Sequence, residues 1–365
     1  MDRRRARAGG GVIAALTSAI ACTRGPATTR PLPLAEVALA RATVDASAPA
    51  APVEAAQEPV AQGPDAQGPD AGAPPPAAAP DAAVALPDGV RRFRAQDEDA
   101  LLQAMRSRPV LRVLHRFSST TLVFHCDLGD GVEIAFKPAR RGEHQWWKHE
   151  VLAYRLARVL GITERVPPTV SRRVPAALLE GFAHDRDLIR ERDGTIRGAA
   201  IYWMPVLHHS GLHTPEAREQ WTPWMFARHD IPAQHRRRAG QIAALIAFDY
   251  LQANFDRWNS ANVPLDERGD LVFRDNNRGW FLDNLLLTDR GGIDGIERIP
   301  GWMLPGIERA TADAVRAEVR RDGLPFHRLE MARYWAAYSR RREALLRRVR
   351  EAVAEHGRER VLLDE

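Results

Sequence analysis

Apolar residues recur along this chain at two spacings, and the spacing changes part-way through. In "VEIAFK", 132–137, they alternate with other residues, the period of a half-buried strand. "TLVFHCDL" and "IRGAAIYWMPVL" read the same way, the latter running into a linker. "QDEDALLQAMRSR" and "EHQWWKHEVLAYRLARVLGI" instead carry apolar residues at helical spacing, the second stopping at Gly161. Beyond about 205 helical spacing dominates, in "QIAALIAFDYL" and in "RLEMARYWAAYSRRREALLRRVREAVAEH". The exception is a hairpin-like stretch, "ANVPLDERGDLVFRDNNRGWF". The pattern predicts an α+β protein with a strand-rich first lobe over 90–204 and a helical second lobe over 205–365.

Composition separates the N-terminal segment from these lobes. From 23 to 89 alanine and proline crowd out large apolar residues, as in "AGAPPPAAAP". Such a stretch buries too little to offset its ordering entropy, so a disordered tether is expected. Ahead of it, "MDRRRAR" and the short apolar "GVIAALTSAIA" lead directly to Cys22. Residues 1–22 resemble a bacterial lipoprotein signal in which Cys22 takes the lipid, although Ala19 stands where Leu is usual. That predicts a domain held at the cell envelope, with the membrane touched only through the anchor. Secretion and a cytoplasmic start are the weaker readings.

Charge excludes little. The net charge is +5, and much of the arginine lies on helix faces such as "SRRREALLRRVREAV". No compact basic stripe with a reading element is visible, so nucleic acid is not expected as a partner. The chain has 2 cysteines and no CxxC pair, and Cys126 within "TLVFHCDL" reads as a buried thiol. The histidines of "LHHSGLH" and "HQWWKHE" lack the HExxH spacing of a zinc hydrolase, and His208 and His213 are expected in a loop between lobes. "QWTPWMF" is expected to pack as an interaction or core segment, core being the commoner fate of a tryptophan-rich stretch.

Candidate chemistry is concentrated at four places. Lys137 ends an apolar strand, and Glu150 follows inside a helix. A strand lysine paired with a helix glutamate can hold nucleotide phosphates. In "FDYLQANFDRWNSAN", 248–262, a buried helix ends in carboxylate and amides. Asp256 sits where a loop begins, suited to orient an attacking hydroxyl and take its proton, with Asn259 and Asn262 as metal-ligating amides. Asp275 lies at the end of a short apolar strand, "LVF", and suits a metal that bridges phosphates. Each residue also has a plain structural reading. Asp256 and Arg257 can form a local ion pair with Asn254 as helix cap, and 275–279 can be only a turn.

Taken together, "FDYLQANFDRWNSAN", "LVFRDNNRGWF", "IAFKP" and the helix after it resemble the Four-jointed and Golgi casein kinase family of secretory-pathway kinases, over roughly 110–285. The resemblance implies a bilobal protein-kinase-like fold, ATP with Mg²⁺ or Mn²⁺, and transfer of the γ-phosphate to a protein hydroxyl by a monomer. It implies that Lys137 contacts phosphates and that Glu150 holds Lys137 or helps to bind metal. Asp256 would be the catalytic aspartate and Asp275 the metal-binding one. Residues 202–204, ending at Met204, would lie near the adenine, and 117–121, with Ser119 and Thr120, would cover the phosphates. The chain departs from the pattern twice: "RFSSTTL" is no GxGxxG loop, and Ala261 stands five residues after Asp256, where the amide is usual. A pseudokinase, or a kinase for a lipid or small molecule, is the alternative.

Overall fold

The computed structural model describes residues 92–94, 96–118, 121–142, 146–180, 187–258, 262–280, 296–324 and 328–364. Residues 1–22 and 23–89, read above as signal and tether, lie outside the described residues, as do Ser119, Thr120 and Asn259.

Helix α1, Glu98–Ser107, begins at Asp97, whose carboxylate accepts from the Ala100 N–H at 2.9 Å. That cap and the acidic first turn satisfy donors the helix cannot. Five strands follow: β1, Arg112–Ser118; β2, Leu122–Asp127; β3, Glu133–Pro138; β4, Thr169–Pro175; and β5, Thr195–Tyr202. They form one antiparallel sheet in the order β1-β2-β3-β5-β4. Side chains alternate between its faces. Phe124, Cys126, Ile134 and Phe136 point to one face and share a fully buried core with Leu101, Leu102 and Met105 of α1. His125, directly opposite Ala135, and Lys137, directly opposite Ala199, mark the other face. Burial pushes the Cys126 thiol up to about 12, as expected of an inert core thiol.

Helix α2, Trp146–Leu160, lies between β3 and β4 in sequence. It ends where Gly161, at φ 80°, takes the left-handed conformation and donates to the Ala157 carbonyl at 2.9 Å. Charged contacts fix α2 on two sides. Glu98 of α1 accepts from Tyr154 at 2.5 Å and from Arg158 at 2.8 Å. On the other side Arg155 pairs with Asp322, whose side chain is fully buried, and Arg158 lies 3.4 Å from Glu318.

The second half is helical: α3, Pro215–Trp221; α4, Arg236–Gln252; α5, Leu304–Arg309; α6, Ala312–Arg320; and α7, Arg328–His356. Glu318 lies on α6. The "QWTPWMF" residues Trp221, Trp224 and Met225 are buried. Ile242, Leu245, Phe248 and Leu251 of α4 are wholly buried, as befits a helix that is apolar nearly all round. Two sequence expectations change. His208 and His209 form a short strand antiparallel to Pro264–Leu265, not a free loop. "LVF" is not a strand; only Leu271 bridges to Leu265, and the Phe273 N–H donates to the Arg165 carbonyl at 2.7 Å. The Val272 N–H still donates to the Pro264 carbonyl at 2.9 Å, so the expected ladder stops after one bridge and a partner distant in sequence takes the Phe273 N–H.

Candidate active site

Three of the four charged candidates meet directly. Lys137 projects from β3 with its Nζ 2.5 Å from Glu150 Oε1 and 2.6 Å from Asp275 Oδ1. Gly198 on β5 permits this packing, because a Cβ there would stand 2.3 Å from the Lys137 carbonyl oxygen. Burial alone would pull the lysine ammonium down, but the two carboxylates outweigh it and hold it above its ordinary range. Burial likewise opposes the charge on Asp275, yet Lys137 keeps that carboxyl below the usual range. Both partners therefore stay ionised. Glu150 is almost fully buried, whereas 34% of the Asp275 side chain is exposed, so Asp275 is the carboxylate that opens to solvent.

The Asp275 loop is held from both lobes. Asp275 has φ 58°, a left-handed conformation that is rare for a non-glycine residue. The next N–H, of Asn276, donates to Glu150 Oε2 at 3.0 Å, so one glutamate fixes both the lysine and the loop. His149 Nδ1 bonds to the Asn277 carbonyl at 2.9 Å, and Asn277 Nδ2 donates to Thr121 Oγ1 at 3.2 Å.

Asp256 lies just beyond α4, which ends at Ala253 with φ 55°. Its N–H donates to Asn254 Oδ1 at 3.2 Å, and its carbonyl accepts from Asn262 Nδ2 at 2.9 Å. The neighbouring Arg257, 1% exposed, joins this loop to the Asp275 loop. It donates to both Asp249 carboxylate oxygens at 2.8 and 2.9 Å, to Asn276 Oδ1 at 2.6 Å and to the Asn262 carbonyl at 3.1 Å. It also bonds to the carbonyl of Arg274, next to Asp275. Arg257 thus pairs with Asp249, and a left-handed Ala253, not Asn254, caps the helix. Burial pushes the Asp249 carboxyl up against the pull of Arg257.

Met204 is buried two residues past β5, after the Trp203 N–H donates to the Glu133 carbonyl at 3.0 Å. Sequence reasoning passed over Asp249 and gave Arg257, Asn276 and His149 no part in the site. The available signal was an aspartate inside the apolar run "AFDYL" and an arginine directly after Asp256.

Solved structures with this arrangement of elements exist at low sequence identity. Golgi casein kinase with Mn/ADP bound aligns with 73% of this chain and 79% of its own, at 16% identity and a TM-score of 0.52. This chain shares its fold with Golgi casein kinase. A second Golgi casein kinase structure gives 17% identity over 74% of this chain and 78% of that one, again with TM-score 0.52. A hydra Fam20 structure with sugar aligns at 18% identity and TM-score 0.46, over 72% of this chain and 91% of that one. Neither a protein-family model nor a curated protein sequence matches the chain. The strand-rich part followed by a helical part is as the sequence pattern predicts, and the kinase-like fold is as the family resemblance implies.

Proposed function

We propose that the protein is an ATP-dependent kinase that transfers the γ-phosphate to a hydroxyl group, with a protein serine or threonine as the favoured acceptor. The observation that supports this is the Lys137, Glu150 and Asp275 cluster, tied through Arg257 to the loop that carries Asp256. Phosphoryl transfer asks a protein for little covalent chemistry. It asks for the phosphates to be positioned, their charge neutralised and the acceptor held in line. Lys137 meets the phosphates as a fixed positive charge. Asp256 takes the proton of the acceptor hydroxyl as its oxygen bonds to the γ-phosphorus and the bond to the ADP oxygen breaks.

A divalent cation fits the donor set. Asp275 offers a partly exposed carboxylate, and Asn262 donates its NH₂ to the Asp256 carbonyl, which leaves the amide oxygen for a hard cation. Among the described residues no group of three or more His, Cys, Asp or Glu can hold a metal, so phosphate and water would supply most remaining ligands. Asp275 and Asn262 would hold Mg²⁺ or Mn²⁺, which offsets the phosphate charge when bound.

One observation favours a second reading. Ala261 replaces the amide at its usual spacing, and Asn262 supplies it one residue later, which suits a pseudokinase that binds nucleotide without turnover. Purified protein with labelled ATP, Mg²⁺ or Mn²⁺, and panels of protein, lipid and small-molecule acceptors separates the readings. Transfer abolished by Asp256→Ala supports the kinase. A nucleotide-dependent thermal shift without transfer, unchanged in Asp256→Ala, supports the pseudokinase. Neither shift nor transfer refutes both.

A further inference from the structure

We propose that Asn277 and Thr121 form a strap that fixes the spacing between the sheet and the Asp275 loop and thereby sets nucleotide affinity. This rests on the nucleotide-binding reading above. Asn277 is 3% exposed and is held at two points. Its carbonyl accepts from His149 Nδ1 at 2.9 Å, on the helix that carries Glu150. Its side-chain Nδ2 donates to Thr121 Oγ1 at 3.2 Å, immediately before β2.

The anchor under the strap is buried. His149 is 1% exposed, and its Nε2 stands 3.5 Å from the Tyr334 hydroxyl of α7. A carbonyl only accepts, so Nδ1 carries the imidazole proton, and Nε2 is left to accept from Tyr334. Asn277 is two residues from Asp275, and Thr121 immediately precedes β2, the strand next to β3, which carries Lys137. The strap therefore spans the sheet and the loop whose charged groups meet at Lys137 Nζ. The chain has no GxGxxG segment at this place. A spacing fixed in advance spares part of the ordering cost that binding would otherwise carry.

The test removes the strap at its mildest point. Thr121→Val deletes the acceptor oxygen but keeps the shape, and Thr121→Ser restores it. One neutral hydrogen bond corresponds to an affinity change of about three- to ten-fold. Thr121→Val is expected to raise the KM for ATP by that factor while kcat stays within about two-fold, and Thr121→Ser to behave as wild type. Asn277→Ala is expected to raise KM similarly, with Thr121→Val adding nothing on top of it. Without nucleotide, amides at 121–123 are expected to exchange faster in Thr121→Val than in wild type. Unchanged exchange, an unchanged KM, or additive effects of the two substitutions would overturn the strap. A wild-type protein that binds no nucleotide overturns the proposed function instead, and exchange then decides the strap alone.

Discussion

Arg257 allows the sharpest test of how this site is held together. Arg257→Met keeps the apolar stem and volume but deletes every donor. Asp249, buried and paired with Arg257, is left without its cation, and Asn276 Oδ1 and the carbonyls of Asn262 and Arg274 each lose a partner. Breaking a buried pair by removing one member costs about 3–5 kcal/mol. That is a large share of the roughly 5–15 kcal/mol that holds a domain folded. Each kcal/mol lowers the midpoint by about 2–4 °C in a domain of this order of size, so a fall of roughly 10 °C is expected in calorimetry. Two controls bind the result to charge. Adding Asp249→Asn removes the stranded carboxylate and is expected to recover part of the loss. Lowering pH is expected to narrow the gap to wild type. Asp249 already has a raised pKa, and losing Arg257 raises it further. A carboxyl whose folded pKa exceeds its unfolded value destabilises the fold above the unfolded pKa, and protonation relieves this as pH falls through the folded value. The reasoning is refuted if Arg257→Met melts within about 2 °C of wild type. It is also refuted if the double variant is no more stable than the single one, or if the gap is the same at pH 5 and pH 8.

Asp275→Asn is expected to lower transfer from ATP by about 10²–10³-fold, read as kcat/KM in a labelled-ATP assay, because it removes the open carboxylate of the cluster. His149 has its pKa pushed down to about 4, chiefly by burial, and so is neutral in the fold and more protonated when unfolded. In metal-free buffer, stability is expected to fall by about 3 kcal/mol as pH drops from 6.5 towards 4, a loss that His149→Asn reduces in urea titrations. Gly198→Ala drives a methyl to within 2.3 Å of the Lys137 carbonyl and is expected to cost about 1–3 kcal/mol in the same titrations. Cys22→Ser is expected to abolish labelling by a fatty-acid analogue in bacterial cells, as the N-terminal sequence predicts.

Residues 132–137 and 146–161 dictate their own conformation, because alternation and helical spacing are properties of adjacent residues and Gly161 stops the helix locally. The same short-range logic placed Asp256 just past a buried helix and drew attention to Lys137, Glu150 and Asp275 as charges in apolar company. It misread "LVF" as a strand, because an apolar triplet carries no record of its partner. Only the tertiary structure joins Lys137 to Asp275 across 138 positions of chain. Only the tertiary structure turns Asp249, an oddity in an apolar helix, into the counter-charge of Arg257. Burial is the reason. A charge removed from water must find a partner wherever the packed chain brings one within reach, and that choice depends on the whole fold, not on neighbours in sequence.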